Sequence, residues 1–486
     1  MNQLTNEVRS KLRHNQPQAV EHLLSVLRDG NAVDLSDMGT GKTYTAAAVA
    51  RLLAVPTLVV APKVSLGAWE RAAWYFGDSI STVNYELART GNTPFGWWHN
   101  PPPAKRERFF VCQSCQREVK FDAFEPCYCH PLGIHCIIEK IRAWDWGPFT
   151  WAPQIKFLVF DEVHRCGALD SLNSDMLTAA RRQGITTLGL SATLATTPLQ
   201  MKAIGYVLGL HNYQDFPKWA RKYGCRPDPA FHGWKWFASE ADQDLTMRVI
   251  HSTILPERGV RLRIDDIPGF PECDIAADLY DLDEYDSINQ IYREMDEALE
   301  RLNETAKKDV APDHPLTLIL RARQKVELLK VPIAVELAGD YLAKGMSVAL
   351  FVNFKQTVAE LRKRLKCDCF IDGSAEGVAK RQENIDRYQR NESRLIVVNN
   401  EAGGICVNLH DLQGDAPRVG LVFPPQSAVT IRQVFGRLRR EGGKSKAHYR
   451  IILAAKTRDG IIKRALDAKL HCLETLNDGD LTPARV

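Results

Sequence analysis

Short apolar runs separated by longer stretches of helical periodicity recur in two blocks along this chain. In the first block the runs fall at 31–36, 56–61, 155–161 and 186–191; in the second they fall at 347–353, 367–371, 394–399, 418–423 and 449–453. Runs of this length without polar alternation predict strands buried on both faces, and the helical stretches between them predict strand-helix-strand units in parallel sheets. Two blocks therefore predict an α/β protein of two lobes in tandem. A helix is expected to open at a glycine-rich loop and run through TAAAVARLLA.

Three stretches break the alternation. The segment 89–153 carries WW, PPP, a cysteine cluster and further tryptophans, so it reads as an insertion in a first lobe that spans 1–255. The segment 256–271 is rich in Pro, Gly and Arg and reads as the connection between lobes. The second lobe then covers 272–486. Within it, YDSINQIYREMDEALERLNE is charged with apolar residues at helical spacing, which predicts a helix projecting from that lobe in a protrusion over 281–330.

At 486 residues the chain exceeds what one core organises, in keeping with two lobes. Hydrophobic residues at 45% and charged residues at 25% exclude extensive disorder. The net charge of +4 decides nothing about a polyanionic partner, because basic residues can gather on one face of a nearly neutral protein. No apolar run reaches the roughly 18 residues of a membrane span, and MNQLTNEVRSKLRHNQ lacks the core of a signal peptide. The expectation is an intracellular, cytoplasmic protein without membrane contact, in the host cytoplasm if its source is viral.

The loop DMGTGKT at 37–43 follows an apolar strand and opens a helix, the setting in which such a loop binds nucleotide. Gly39 and Gly41 let backbone N–H groups turn toward phosphate oxygens, with Met38 and Thr40 between and before them. The helix N-terminus adds its positive end, Lys42 reaches the outer phosphates of ATP and Thr43 holds Mg2+. Ser36 stands where the general pattern has its first glycine. Downstream, KFLVF runs into DEVH, placing Asp161 and Glu162 at the end of a buried strand. There Asp161 suits magnesium and Glu162 suits orienting and deprotonating an attacking water. A glycine turn and an acidic strand end each have a plain structural reading alone; together they point to phosphoryl transfer.

With these residues the chain resembles the superfamily-two helicases, and within them the Swi/Snf-like DNA translocases, including compact bacteriophage forms. The resemblance covers nearly the whole chain and implies two RecA-like lobes; the residues themselves add a small zinc-binding insertion in the first, from its cysteine cluster, and the helical projection on the second. In LRHNQ, Gln16 matches the glutamine that reads adenine, with Arg13 beside it. VVAPKVSLGAWE, with Lys63 and Trp69, resembles the strand-grip region, VNYELAR the motif before the acid pair, and SAT, with Ser191 and Thr193, the element that couples nucleotide to nucleic acid. ALFVNFKQTVAELRKRL, with Asn353, resembles the start of the second lobe, and NNEAGGICVNLHD puts Glu401, Gly403, Gly404 and Asn408 near the nucleic-acid track. QVFGRLRR closes the set. Its Gln433, Arg437 and Arg440 fall at helical spacing, so all three can share one side, Gln433 toward the nucleotide and the two arginines supplying guanidinium groups to the transferring phosphoryl group when the lobes close. Two departures, Val163 in DEVH and EGGKSKAH after the arginines, remove no catalytic group.

Of twelve cysteines, five lie between Cys112 and Cys136, which suggests metal and not disulfides in a reducing compartment. Cys112 and Cys115 form C-x-x-C, and Cys127 follows in CYCH with Cys129 and His130 as alternative fourth ligands; His135 and Cys136 come shortly after. This resembles a zinc ribbon or knuckle, with Zn2+ as a structural staple. KRER before the cluster and KIRAWDW after it mix basic and aromatic side chains, which suit DNA, a protein partner or an ordinary solvated face.

The resemblance implies a DNA-dependent ATPase that moves along duplex or forked DNA. A strand-separating helicase, including one acting on RNA, and a nucleotide-switched scaffold binding nucleic acid through its zinc insertion are the alternatives. Discrimination of RNA rests on contacts to the 2′-hydroxyl.

Overall fold

The computed structural model describes residues 3–78, 80–100, 108–112, 118–119, 137–141, 147–228, 233–306, 315–400 and 407–469. Two six-stranded parallel sheets follow one another along the chain. The first contains β1 Ala32–Asp34, β2 Thr57–Ala61, β3 Ser81–Asn84, β4 Phe157–Asp161, β5 Thr186–Leu190 and β6 Gly259–Val260, in the order β6-β1-β5-β4-β2-β3. The second contains β7 Cys273–Tyr280, β8 Ser347–Val352, β9 Phe370–Ile371, β10 Leu395–Asn399, β11 Arg418–Val422 and β12 Ala447–Ala454, in the order β7-β12-β11-β8-β10-β9.

The central strands are the apolar runs of the sequence, because a parallel strand covered by helices on both faces buries every side chain. β1, β2, β4, β8 and β11 are buried at each position. On one face of the first sheet, helices α1 Gln16–Asp29 and α2 Lys42–Leu53 contribute Val20, Leu23, Leu24 and Val49 to a core that includes Trp69 and Leu188. The opposite face holds Leu158, Phe160, Met176 and Ile204. The second sheet is sandwiched in the same way, around Leu350, Val397, Leu421 and Ile451.

The connecting segment carries more structure than its composition predicts. Gly259 and Val260 pair in parallel with Val33 and Asp34, so the segment 256–271 first completes an edge of the first sheet before it leads to the second. A two-residue strand gives no periodic signal, and its pairing is a tertiary property. β3 and β7 were likewise not apparent from the pattern. β7 pairs with β12 from Cys273 to Tyr280 at a half-exposed edge where polar residues interrupt the apolar run.

The segment 89–153 begins and ends on an antiparallel ribbon, Gly96–Trp98 with Phe149–Trp151. Trp98 and Trp151 are buried in the first lobe, and the Trp151 indole donates to the Met176 carbonyl at 2.9 Å. Beyond the ribbon, Arg108–Cys112 pairs antiparallel with Glu118–Val119 and Ile137–Ile141. Helix α3 Phe216–Lys222 is followed by an unanticipated hairpin, Cys225–Asp228 with Gly233–Trp236. In the second lobe, helix α4 Tyr285–Ala306 packs with helix α5 Pro315–Leu329, and Ile288, Tyr292 and Val326 root the pair on Ala454 at the end of β12. Helix α6 Ala428–Leu438 follows β11. Among the described residues no helix is long and apolar enough to cross a membrane.

Candidate nucleotide site between the two sheets

The loop after β1 turns through Gly39 and Gly41, whose φ angles of +88° and +85° lie in the left-handed region. A Cβ on Gly41 would stand 2.3 Å from Gln16 Nε2. Gln16 is buried; its amide donates to the Thr40 carbonyl at 2.9 Å and accepts from the Arg13 backbone N–H at 2.9 Å. Lys42, first residue of α2, donates to the carbonyls of Ser36 at 2.7 Å and Asp37 at 3.1 Å, which holds its ammonium within the turn. Thr43 is half-buried beside it. Ser36 explains its own departure from glycine: its Oγ accepts from Leu262 N–H at 2.9 Å. Asp37 accepts from Ile264 N–H at 3.0 Å and pairs with Arg261 at 3.2 Å, so the connecting segment braces the loop.

At the end of β4, Asp161 accepts a hydrogen bond from the Trp69 indole at 2.9 Å. Trp69 is fully buried, so it serves the acid pair and does not face a strand. Tyr85 donates to the Asp161 carbonyl at 2.9 Å. Burial, followed by the charge of Glu162, raises the Asp161 carboxyl above its usual range against the pull of Trp69 and Lys42. Glu162 adopts a left-handed φ of +56°. Burial pushes its carboxyl up, but the hydrogen bond and charge of His164, with Lys42 and Arg437, together bring it below the usual range.

His164 Nδ1 lies 3.3 Å from Glu162 Oε2 and 3.0 Å from Ser191 Oγ. Ser191 Oγ donates to the Thr193 carbonyl at 2.6 Å, and Ser191 N–H donates to the Asp34 carbonyl at 3.1 Å. The acid pair, the SAT segment and the phosphate loop are thereby one connected unit. Lys63 is exposed at the turn after β2.

The second sheet meets this unit through α6 and the residues after it. Arg437 is buried, 1% exposed, and Gln433 is half-buried on the same helix. A Cβ on Gly436 would lie 2.9 Å from Met38 Cβ, and one on Gly39 would lie 3.3 Å from Arg440 Cα. Glu441 N–H approaches the Gly39 carbonyl at 3.4 Å, and its carboxylate pairs with His14 at 3.4 Å. Arg440 Nε donates to the Gly436 carbonyl at 3.0 Å. Lys42, Asp161, Glu162, Arg437 and Arg440 are thus gathered at one junction. Gly39 and Gly436 matter there because neither chain could approach as closely with a side chain.

Asn353 is occupied by its own lobe. Its backbone N–H and amide donate to Glu327 at 3.0 and 2.6 Å, Phe354 N–H donates to Glu327 at 3.1 Å, and Asn400 donates to the Asn353 side-chain carbonyl at 2.8 Å. Glu327 has no sequence signal as a partner, since in RARQKVELLK it reads as a polar helix position. Asn408 is exposed, next to Leu409, whose N–H donates to the Arg437 carbonyl at 3.0 Å. Glu401, Gly403 and Gly404 lie outside the described residues, as do Cys115, Cys127, Cys129 and His130; of Cys112 only the backbone is described, at the end of its strand. Among the described residues, no group of three or more His, Cys, Asp or Glu is placed to hold a metal ion.

The glycine turn ending in Lys42, the acids Asp161 and Glu162, and the buried Arg437 thus meet at the junction of two parallel sheets. The chain is similar to a protein of Acanthamoeba polyphaga mimivirus named as an ATP-dependent RNA helicase, 31% identical over 494 residues that span 98% of this chain and 86% of that protein. The chain belongs to the superfamily-two helicases. No protein-family model matches it. Among solved structures it resembles a single-substitution variant of S. cerevisiae Dbp5 bound to RNA and ADP BeF3, at 13% identity over 100% of this chain and 94% of that one, with a TM-score of 0.49. The Hef helicase domain of Pyrococcus furiosus aligns at 14% identity over 91% of this chain and 96% of that one, with a TM-score of 0.43.

Proposed function

We propose that the chain is a helicase acting on RNA, which hydrolyses ATP in the cleft between its two lobes. The observation that carries this reading is the convergence of Glu162 from the first sheet and Arg437 from the second on the surroundings of Lys42. The loop N–H groups around Gly39 and Gly41, with Lys42, cradle the phosphates. Gln16, held by Arg13 and Thr40, borders the adenine. Asp161 and Thr43 fit magnesium, since that ion commonly takes one or two carboxylates with substrate phosphates. Magnesium supplies charge neutralisation there.

Glu162, ionised because His164, Lys42 and Arg437 favour its charge, orients water toward the terminal phosphorus and takes its proton. Water forms the new P–O bond as the bond to the diphosphate breaks. Arg437 and Arg440 stabilise the charge on the moving phosphoryl group. Because they belong to the second lobe, hydrolysis requires the lobes to be together. The contact from Glu162 through His164 to Ser191 and Thr193 gives the nucleotide state a route to the nucleic-acid track.

RNA takes precedence over the duplex-DNA translocation implied by the Swi/Snf-like motifs because the viral relative, matched across nearly the whole chain, is named for RNA. The test is steady-state ATP hydrolysis with single-stranded and duplex RNA and DNA of matched length and sequence. Stimulation at least about tenfold greater with RNA supports the reading. Stimulation by duplex DNA and not by RNA contradicts it and restores the translocase.

We also infer that Cys112, Cys115 and Cys127, with Cys129 or His130 as the fourth ligand, bind zinc, supported by their spacing and by the antiparallel pairing of Arg108–Cys112 with Glu118–Val119, between which Cys115 falls in sequence. Metal analysis of the purified chain, expected to give about one zinc per chain, tests this. Buried reduced thiols at Cys166, Cys225, Cys367 and Cys369, with the viral relative, favour the cytoplasm of an infected host.

A further inference from the structure

We propose that helix α3 and the hairpin after it form a binding surface for single-stranded polynucleotide, outside the motifs that carry the family resemblance. Between 216 and 237 the chain carries five basic residues, Lys218, Arg221, Lys222, Arg226 and Lys235, against one acidic residue, Asp228. All five are exposed. They are interleaved with aromatic rings: Arg221 lies over Trp234 at 5.4 Å, Lys222 over Tyr223 at 5.6 Å and Lys235 over Phe237 at 5.6 Å.

The rings divide into two sets. Trp236 turns inward, donating its indole N–H to the Tyr223 carbonyl at 2.8 Å, and thus ties the hairpin to α3. Phe237 turns outward and is 48% exposed, although a phenyl ring gains nothing from water. An outward ring beside Lys235, on a surface that also carries Arg221 and Lys222, matches a nucleotide unit: the ring stacks a base while the cations hold phosphates. The charge imbalance favours a polyanion over a protein partner of mixed charge.

The surface is also anchored to the nucleotide-sensing unit. Phe216, Ala220 and Cys225 pack with Trp234 and Trp236 against Leu169 and Leu199. Leu169 follows the acid pair along the chain, and Leu199 follows the SAT segment. The two anchor points touch each other, since a Cβ on Gly167 would meet Gln200 Cβ at 3.1 Å, and Gln200 accepts from Thr196 N–H at 2.6 Å. A change at Glu162 or Thr193 is therefore transmitted to the hairpin through packed side chains and short turns.

This inference rests on the motor reading, so its test separates the two. Binding of fluorescently labelled single-stranded oligouridine and oligothymidine of equal length to the full chain is followed by anisotropy across salt concentration. Wild type, Phe237→Ala, Phe237→Trp and the double variant Arg221→Glu with Lys222→Glu are compared, and thermal unfolding verifies the fold. Phe237→Ala is expected to weaken binding about tenfold, the loss of one stacked base, and Phe237→Trp to restore it. The double variant is expected to lower the salt dependence of binding by about one to two counterions. A larger effect on oligouridine than on oligothymidine assigns the surface to RNA, and the converse assigns it to DNA. Folded variants that bind both strands as wild type does overturn this surface while leaving the motor intact. Wild type that binds neither single strand, and shows no ATPase stimulation by duplex RNA or DNA, overturns the motor reading itself.

Discussion

Arg437 and Glu162 come from different sheets, yet the charge of the buried guanidinium is one of the influences that hold the Glu162 carboxyl below its usual range against the effect of burial. Neither residue has that neighbour within its own lobe. The guanidinium adds to the lowering that His164 and Lys42 exert from the first lobe, so charges from both sheets meet at this acid.

Gly436 sets the distance between the sheets. Its missing Cβ leaves room for Met38, which would otherwise stand 2.9 Å away. Gly436→Val is expected to lower nucleic-acid-stimulated kcat at least about tenfold while the affinity for an ATP analogue changes little, since the phosphate loop lies in the first lobe. Parallel measurement of kcat and analogue binding checks this; a fall in both together points to misfolding and not to separation of the lobes.

Trp69 is the donor that tempers Asp161. Trp69→Phe removes the 2.9 Å hydrogen bond and leaves only Lys42 and Ser65 to oppose burial and the charge of Glu162, so the carboxyl's affinity for a proton rises further. Loss of a charged hydrogen bond of about 2 kcal/mol corresponds to a fall in ATPase activity of about thirtyfold, with a requirement for more magnesium. Unchanged activity and magnesium dependence in a folded Trp69→Phe protein would show that the indole only fills space.

Glu327, 5% exposed, accepts hydrogen bonds from Asn353 N–H, Asn353 Nδ2 and Phe354 N–H and so joins helix α5 to the turn that follows β8. Glu327→Ala strands these donors and is expected to destabilise the second lobe by about 3 kcal/mol, with Glu327→Gln costing less because it keeps an acceptor. Urea unfolding of both variants distinguishes them, and equal stability of Ala and wild type would contradict the role.

His410 predicts a pH dependence of stability. Burial, with the charges of Arg440 and Arg418 outweighing Asp411, depresses its pKa to about 4. The unfolded chain binds the proton more tightly, so this contribution is complete above the ordinary histidine pKa of about 6.5 and is lost as pH falls from there to about 4. The shift corresponds to about 3 kcal/mol. The difference in unfolding free energy between wild type and His410→Asn should change by that order between pH 7 and pH 4, and a pH-independent difference would rule it out.

Much of the candidate ATP site was legible because its chemistry is local: Gly39, Gly41 and Lys42 lie on one turn, and Asp161 ends one strand with Glu162 next to it. Central strands were legible because a strand covered on both faces must be apolar throughout. What escaped depends on approach through space. The edge pairing of Gly259 and Val260, the Trp69 contact with Asp161 and the seating of Asn353 on Glu327 each join residues far apart in the chain, and no spacing encodes them. The hairpin at Cys225–Asp228 escaped for a different reason: each strand has four residues, and the alternation Trp234-Lys235-Trp236 is too short to stand out from the surrounding sequence.

The claim that two lobes share one hydrolytic site is tested most directly by stimulated ATP hydrolysis in Arg437→Ala, Glu162→Gln and the double variant, with ATP-analogue binding measured beside it. Each single change is expected to reduce kcat at least about a hundredfold with binding retained, and the double change to cost little more than either alone, as for groups that act as one unit. An Arg437→Ala protein that turns over ATP at the wild-type rate would contradict the account.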